Sequence, residues 1–343
     1  MRRRALLSMI SKTANGDSFD INNYMTIRAL ADGLTAKLST NACQYCIDGS
    51  GVWIDLPSDT ETEAIQTGQT LSFRASLSPS SSVGVGTFTI SASCELSGNC
   101  MSLLFGDDAA TNANLSSKGY AFYRLFKNCK TLTSVSEGFL PATVMGAACY
   151  REMFYGCTAL TSVPLLPAKT LANYCYREMF RACSKLTAAP TLPATTLQTD
   201  CYSYMFYGCS TLKVAPALPA KTAKQSCYNN MFNTCKALTQ APVISMTTTA
   251  TQCCRQMFYG CTSLEVAPDL LATELKSLCY ANMFTNCSKL RYVKALFTTT
   301  PGDVTGNWLS GVASNGTFVK SAAATWNVIG VNGIPEGWVI ETV

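Results

Sequence analysis

The side chains of this chain best suited to chemistry are its cysteines, of which there are 18 in 343 residues. A thiolate is both a nucleophile and a metal ligand, and four together can hold zinc. Cys43-x-x-Cys46 with Cys94 and Cys100 could supply such a set. The second pair has five residues between its members, more than a zinc site usually has, and the pairs lie 48 residues apart. Two cysteines on core strands are the simpler account, and a Cys94–Cys100 disulfide stays open for an exported protein. Glu152 and Glu178 could form a carboxylate pair of the glycosidase kind. Each follows an arginine, Arg151 and Arg177, so a solvated row of ion pairs is the simpler account. The chain has no histidine, which removes histidine triads, histidine bases and zincin motifs. No phosphate loop or dinucleotide fingerprint occurs. The expectation is a chain without catalysis, cofactor or metal.

Twelve of the cysteines obey a rule. Cys149, Cys175, Cys201, Cys227, Cys253 and Cys279 are spaced 26 residues apart, as are Cys157, Cys183, Cys209, Cys235, Cys261 and Cys287. Between them Met153-Phe154 recurs at 179, 205, 231, 257 and 283, and Leu160 recurs at 186, 212, 238, 264 and 290. Leu-Pro-Ala begins at 140, 166, 192 and 218. A worn copy with Leu125-Phe126, Cys129 and Leu132 precedes the six regular ones. A constant period means one unit stacked along an axis, with equivalent side chains in ladders. In a ladder the thiols run parallel, so buried free cysteines acting as small hydrophobes are expected.

Leu160, Val163 and Leu166 should point inward from an extended segment, because Pro164 and Pro167 disfavour helix. Cys149 to Cys157 has no proline, and its apolar residues fall near helical spacing, which predicts a short helix or helical turn. At about 4.8 Å per strand, six copies span roughly 30 Å. The order Leu160-x-x-Val163-x-x-Leu166-Pro167, then Leu171, with the Met153-Phe154-x-x-Cys157 segment, resembles the BspA-like leucine-rich repeats of bacterial surface proteins over residues 120–300. That family carries Ala-Phe where this chain has Met-Phe, in a somewhat shorter unit. The resemblance implies adhesion or binding through a solenoid surface, with no cofactor. The ending, Gly311-Val312-Ala313-Ser314 to Lys320 and then Gly333-Ile334-Pro335-x-Gly337-Trp338, is similar to endings of such repeats in gut bacteria and their prophages. There the chain looks like part of a phage tail.

The fold expected is mainly β with short helices: an N-terminal β-sandwich, a leucine-rich-repeat solenoid of 26-residue units and a C-terminal cap. Residues 1–23 form an arm. Residues 24–100 alternate in short runs around Ala31-Asp32-Gly33 and Asp48-Gly49-Ser50-Gly51, as a sandwich-like domain would. Residues 101–303 hold the solenoid, with an imperfect first unit and six regular ones from 149. Residues 304–343 keep Trp308, Phe318, Trp326 and Trp338 and should cover the last core face.

Hydrophobic residues make up 48% and charged residues 14%, which supports a large core and argues against disorder. The net charge of +5 is spread out, without the basic stripe of a nucleic-acid binder. No apolar stretch approaches a membrane span. After Arg2-Arg3-Arg4 the stretch Ala5 to Ile10 is too short for a signal peptide, and no small-x-small site follows. Outward positions that vary between copies gather polar and aromatic residues late in the array. Lys213, Glu265, Asp269, Arg291, Tyr292 and Lys294 are therefore the candidate binding surface. The expected partner is a cell-surface protein or glycan of the host, with other virion subunits held through the N-terminal region, and a homo-oligomer stays open. The expected location is a virion tail or surface, the alternative being an exported adhesin at the cell surface. A purely structural virion part is a third reading.

Overall fold

A computed structural model describes residues 11–12 and 18–343. Most of residues 1–23, including Arg2-Arg3-Arg4, lies outside them. The part of this arm that is described is built into the fold. Strand β1 (Ser11–Lys12) pairs antiparallel with β2 (Ser18–Phe19). Phe19 is buried, with its ring 5.1 Å from Tyr24 and 5.9 Å from Trp53. The expectation of an arm ending only at residue 23 is corrected there, because Phe19 belongs to an aromatic cluster.

The protein is mainly β, and its one α-helix among the described residues, α1 (Ser102–Phe105), is a single turn. The strands that follow are β3 (Met25–Ala29), β4 (Ala36–Leu38), β5 (Cys43–Ile47), β6 (Ile54–Leu56), β7 (Thr70–Arg74), β8 (Phe88–Ile90), β9 (Cys94–Ser97) and β10 (Leu132–Val135). Their alternating apolar residues turn one face inward, so Met25, Ile27, Leu71, Phe73, Cys94 and Leu96 are all buried. They form a six-stranded sheet in the order β10-β9-β3-β7-β5-β6 and a two-stranded pair, β4-β8. Pairing within the N-terminal region is antiparallel, but β10 joins β9 in parallel. Since β10 belongs to the worn first copy, hydrogen bonding runs through residue 100 without a break.

From there the 26-residue copies lie side by side. Thr170 bridges Val144 and Thr196 in parallel, and Val214 bridges Ala188 and Gln240. In each copy one segment is extended, with Pro164, Leu166 and Ala168 inward and Leu165, Pro167 and Lys169 outward. Leu160 and Leu166 are buried as expected, while Val163 is only partly so.

The segment Cys149–Cys157 is not helical, which corrects the expectation. It is a ribbon of linked turns. Odd-numbered amides bond three residues back, Arg151 to Ala148 and Met153 to Tyr150. Even-numbered amides reach the next copy, Tyr150 to Cys175 and Phe154 to Met179, both at 3.0 Å. Every fourth residue is left-handed, with φ of 53° at Ala148, 54° at Glu152 and 73° at Gly156. The chain direction therefore resets every four residues, and the inward pairs are Cys149-Tyr150 and Met153-Phe154. A period of four lies close enough to 3.6 to imitate a helix.

The phenylalanines stack in one column. Phe126, Phe154, Phe180, Phe206, Phe232, Phe258 and Phe284 follow one another at 5.5–5.7 Å, their planes within 11°. Offset stacking is a favourable arrangement for such rings. At the N-terminal end Phe88 continues the column, 5.7 Å from Phe126.

At the other end β11 (Tyr292–Ala295), β12 (Thr317–Lys320) and β13 (Val339–Thr342) pair in parallel. Residues 304–311 repeat the turn ribbon one residue short, with Phe284 N–H bonded to the Trp308 carbonyl. The segment 304–343 thus adds worn coils to the array. Trp308, Phe318, Trp326 and Trp338 are buried there. The indole N–H groups bond the carbonyls of Gly333, Phe297 and Ala313 respectively for Trp308, Trp326 and Trp338. Truncation after residue 303 removes these rings from Tyr280, Phe284 and Phe297, so the shortened protein should aggregate. Light scattering of the purified truncation checks this, and a soluble monomer would contradict it.

Candidate functional site

The structure brings four of the six surface residues into two pairs. Arg291 lies 26 residues after Glu265, hence on the adjacent coil, and its guanidinium meets the carboxylate at 3.2 Å. Lys294 Nζ lies 3.0 Å from Asp269 Oδ2, and this bond raises the lysine above its ordinary value. Both pairs are largely exposed and weak in water. They neutralise one another, so the patch carries little net charge. Tyr292, half-buried on β11, lies between Val266 and Thr317 in register. Arg291, Tyr292, Val266, Gly316 and Val339 border a groove of about 590 Å³ where the regular copies meet the C-terminal coils. Lys213 does not join them. It occupies the same column as Glu265 two coils earlier, with Thr239 between.

A denser polar cluster lies on the turn ribbon of the early copies. Glu152 accepts from Arg124 Nε at 2.9 Å and Lys127 Nζ at 2.7 Å, and Arg151 Nε lies 3.2 Å away. Glu178 meets Arg177 at 3.2 Å and Arg181 at 2.9 Å. Only 4% of the Glu152 side chain and 12% of the Glu178 side chain are exposed, which corrects the expectation of a solvated row. Tyrosines roof it. Arg124 lies 4.5 Å from the centre of Tyr123, Lys127 4.7 Å from Tyr155, and Arg181 4.6 Å from Tyr207. Burial pushes the Glu152 carboxyl up, but Arg124 and Lys127 outweigh it and hold the group below its ordinary value. Each carboxylate is thus already committed to the cations around it. Helical-period reasoning hides this cluster. A four-residue period reveals it, because Arg151-Glu152 and Arg177-Glu178 fall midway between the inward pairs.

All 18 cysteines are buried as free thiols, those at 43, 46 and 94 on strands. The second cysteine ladder has a defined task. Cys157 Sγ donates to the Phe126 carbonyl at 3.1 Å, Cys183 to Phe154 at 3.2 Å, and Cys209 to Phe180 at 3.1 Å. The Phe154 carbonyl also accepts from the Cys157 amide, so the thiol uses its second lone pair. Burial pushes Cys149, Cys209 and Cys287 from 9.0 up to about 12.

These thiols hold their protons in the fold to higher pH than in the unfolded chain. Their contribution to stability is complete below pH 9 and is lost as the pH climbs from 9 to about 12. The urea midpoint should accordingly stay flat in neutral solution and fall steeply above pH 9, and a maleimide probe should label the ladder cysteines only after denaturation. A flat midpoint to pH 11, or ready labelling of the native protein, would contradict this. Glu152→Gln leaves Arg124, Lys127 and Arg151 facing one another without a countercharge. It should destabilise by roughly 1–3 kcal/mol, whereas Glu265→Gln, in an exposed pair, should change stability by less than about 1 kcal/mol. Chemical denaturation of the two variants checks the contrast. No protein-family model, curated protein or solved structure matches the chain.

Proposed function

We propose that the 26-residue copies form a leucine-rich-repeat solenoid of the BspA-like kind, between a β-sandwich-like N-terminal domain and a C-terminal cap. On this reading the protein is a non-catalytic recognition protein. It is a tail-associated host-attachment component of a phage or prophage, with residues 1–23 and the N-terminal sheet as its mount on other subunits and the solenoid as the surface offered to a host protein or glycan. The observation that supports it is the division of labour inside each copy. Cys149, Met153, Phe154, Cys157 and Leu160 have their equivalents in every regular copy and are buried. The outward column Thr161, Thr187, Lys213, Thr239, Glu265 and Arg291 changes type from copy to copy. A framework that holds its interior constant while its outer columns vary is suited to a binding face.

Tyr292 and Arg291 are the anchors, because an amphipathic ring and a guanidinium beside a groove contribute most to such interfaces. Arg291→Glu with Tyr292→Ala should weaken attachment to the bacterial cells that the protein adsorbs to by about tenfold or more, a loss typical of anchor residues. The melting temperature should fall by no more than a few degrees, since the variant loses an exposed ion pair and a half-buried ring at the edge of a much larger core. Thr161→Ala with Ser162→Ala should leave attachment unchanged. Cell-binding measurements on the two double variants decide the matter. Equal attachment by both would favour a purely structural virion part or an adhesin that binds elsewhere.

A further inference from the structure

A groove of about 820 Å³ opens on the solvent side of the six-stranded sheet, far in the sequence from the repeats. Three of its polar side chains form one row fixed by strand register. Asp55 on β6 lies opposite Gln44 on β5, and Gln44 lies opposite Arg74 on β7. Their groups interlock. Gln44 Nε2 donates to Asp55 Oδ1 at 2.8 Å, and Arg74 Nε donates to Gln44 Oε1 at 3.0 Å. Arg74 also donates through NH1 to both oxygens of Asp107, at 2.8 and 2.9 Å. Below, the guanidinium rests 4.2 Å from the centre of the Trp53 ring. The Tyr24 hydroxyl donates to Asp107 at 2.8 Å, and burial together with that carboxylate pushes the phenol up to about 12. The row is thus rigid before any ligand arrives. It stops short of using everything it holds. Asp55 Oδ2 and the whole Asp108 carboxylate have no partner among the described residues, and the half-buried ring of Phe105 lines the same groove.

We propose that this groove is a second recognition site, and that its ligand is a neutral saccharide. Three carboxylates outnumber the two nearby cations, Arg74, itself already paired, and Lys118, whose Nζ lies 5.6 Å from the centre of one face of the Phe105 ring, so phosphate, sulfate and acidic sugars are disfavoured. The spare groups are hydrogen-bond acceptors, and a sugar carries a ring of hydroxyl donors to meet them. A flat aromatic ring beside planar polar groups is suited to the apolar face of a pyranose. The volume falls within the usual range of small-ligand sites. Because the row is held in advance, little ordering opposes binding. The site shares no residue with Arg291 and Tyr292, so it stands or falls separately from the attachment surface of the repeats.

The experiment is calorimetric titration of the full chain with maltose, cellobiose, lactose and chitobiose, alongside an oligolysine peptide. At least one disaccharide should bind. Asp55→Ala and Asp108→Ala, both at exposed positions where folding is not in question, should each weaken it by about tenfold or more, as expected when a bonded hydroxyl loses its acceptor. Phe105→Leu keeps an apolar group but removes the ring, and should weaken the saccharide likewise. Arg291→Glu with Tyr292→Ala should leave saccharide binding unchanged. Absence of binding by every disaccharide, binding indifferent to Asp55 and Asp108, or a groove that takes oligolysine in preference to sugar would each overturn the proposal.

Discussion

The backbone hydrogen bonds between neighbouring copies are the interaction on which the rest of this molecule depends. Along the turn ribbon every second amide leaves its own copy to bond the next, as from Tyr150 to Cys175 and from Phe154 to Met179. The remaining amides close turns within the copy. From Cys149 to Cys157, and at the equivalent positions of the other regular copies, every amide is bonded, as burial of the backbone demands. The arrangement works only if the chain turns back on itself every four residues, and that requires left-handed backbone at positions such as Glu152, Glu178 and Asn230. Each such non-glycine residue costs roughly 1–2 kcal/mol. Bonds to the neighbouring copy and the stacked phenylalanines beneath offset that cost, and a copy standing alone would have neither.

Those same bonds account for the uniformity of the interior. Copies held in register bring like residues together, so any change of size at one ladder position is felt by both neighbours. Phenylalanine stacks at a near-constant spacing and cysteine is small enough to repeat without crowding, while its thiol closes on the phenylalanine carbonyl of the preceding copy. Positions outside the ladders are under no such constraint, so polar groups there differ from one part of the array to another. The buried Glu152 and Glu178 with their arginines and tyrosines mark the early copies, the Asn229, Asn230 and Asn233 network the middle, and the Arg291–Tyr292 patch the late ones.

An array of this kind has two open ends, and each is closed by different means. The N-terminal sheet accepts β10 as an edge strand and sets Phe88 on the end of the phenylalanine column, so it is cap as well as neighbour. At the far end the coils become irregular, and indoles take over from phenylalanine and methionine. The large rings pack beside the last regular copy, and their N–H donors satisfy carbonyls of Phe297 and of the C-terminal coils themselves. The variable outer surface is thereby carried on a framework flanked on both sides by packed, irregular segments.

Sequence by itself determined the period, the inward ladders, the buried cysteines and the mainly β character, because each of these is repeated and repetition averages out local ambiguity. Leu160, Phe154 and Cys157 could be assigned inward from spacing alone. It also singled out the outward positions that vary from copy to copy, Arg291 and Tyr292 among them, since variation at constant register needs no coordinates to be seen. The tertiary structure alone decided that Cys149–Cys157 is a ribbon of turns, because periods of 3.6 and four are nearly indistinguishable over nine residues, and the bonds that choose between them lie in the next copy. It alone showed that Glu152 is buried beneath rings from neighbouring copies. The row Asp55–Gln44–Arg74 was invisible for the same reason. Its members are far apart along the chain, and only the pairing of β6, β5 and β7 places them side by side.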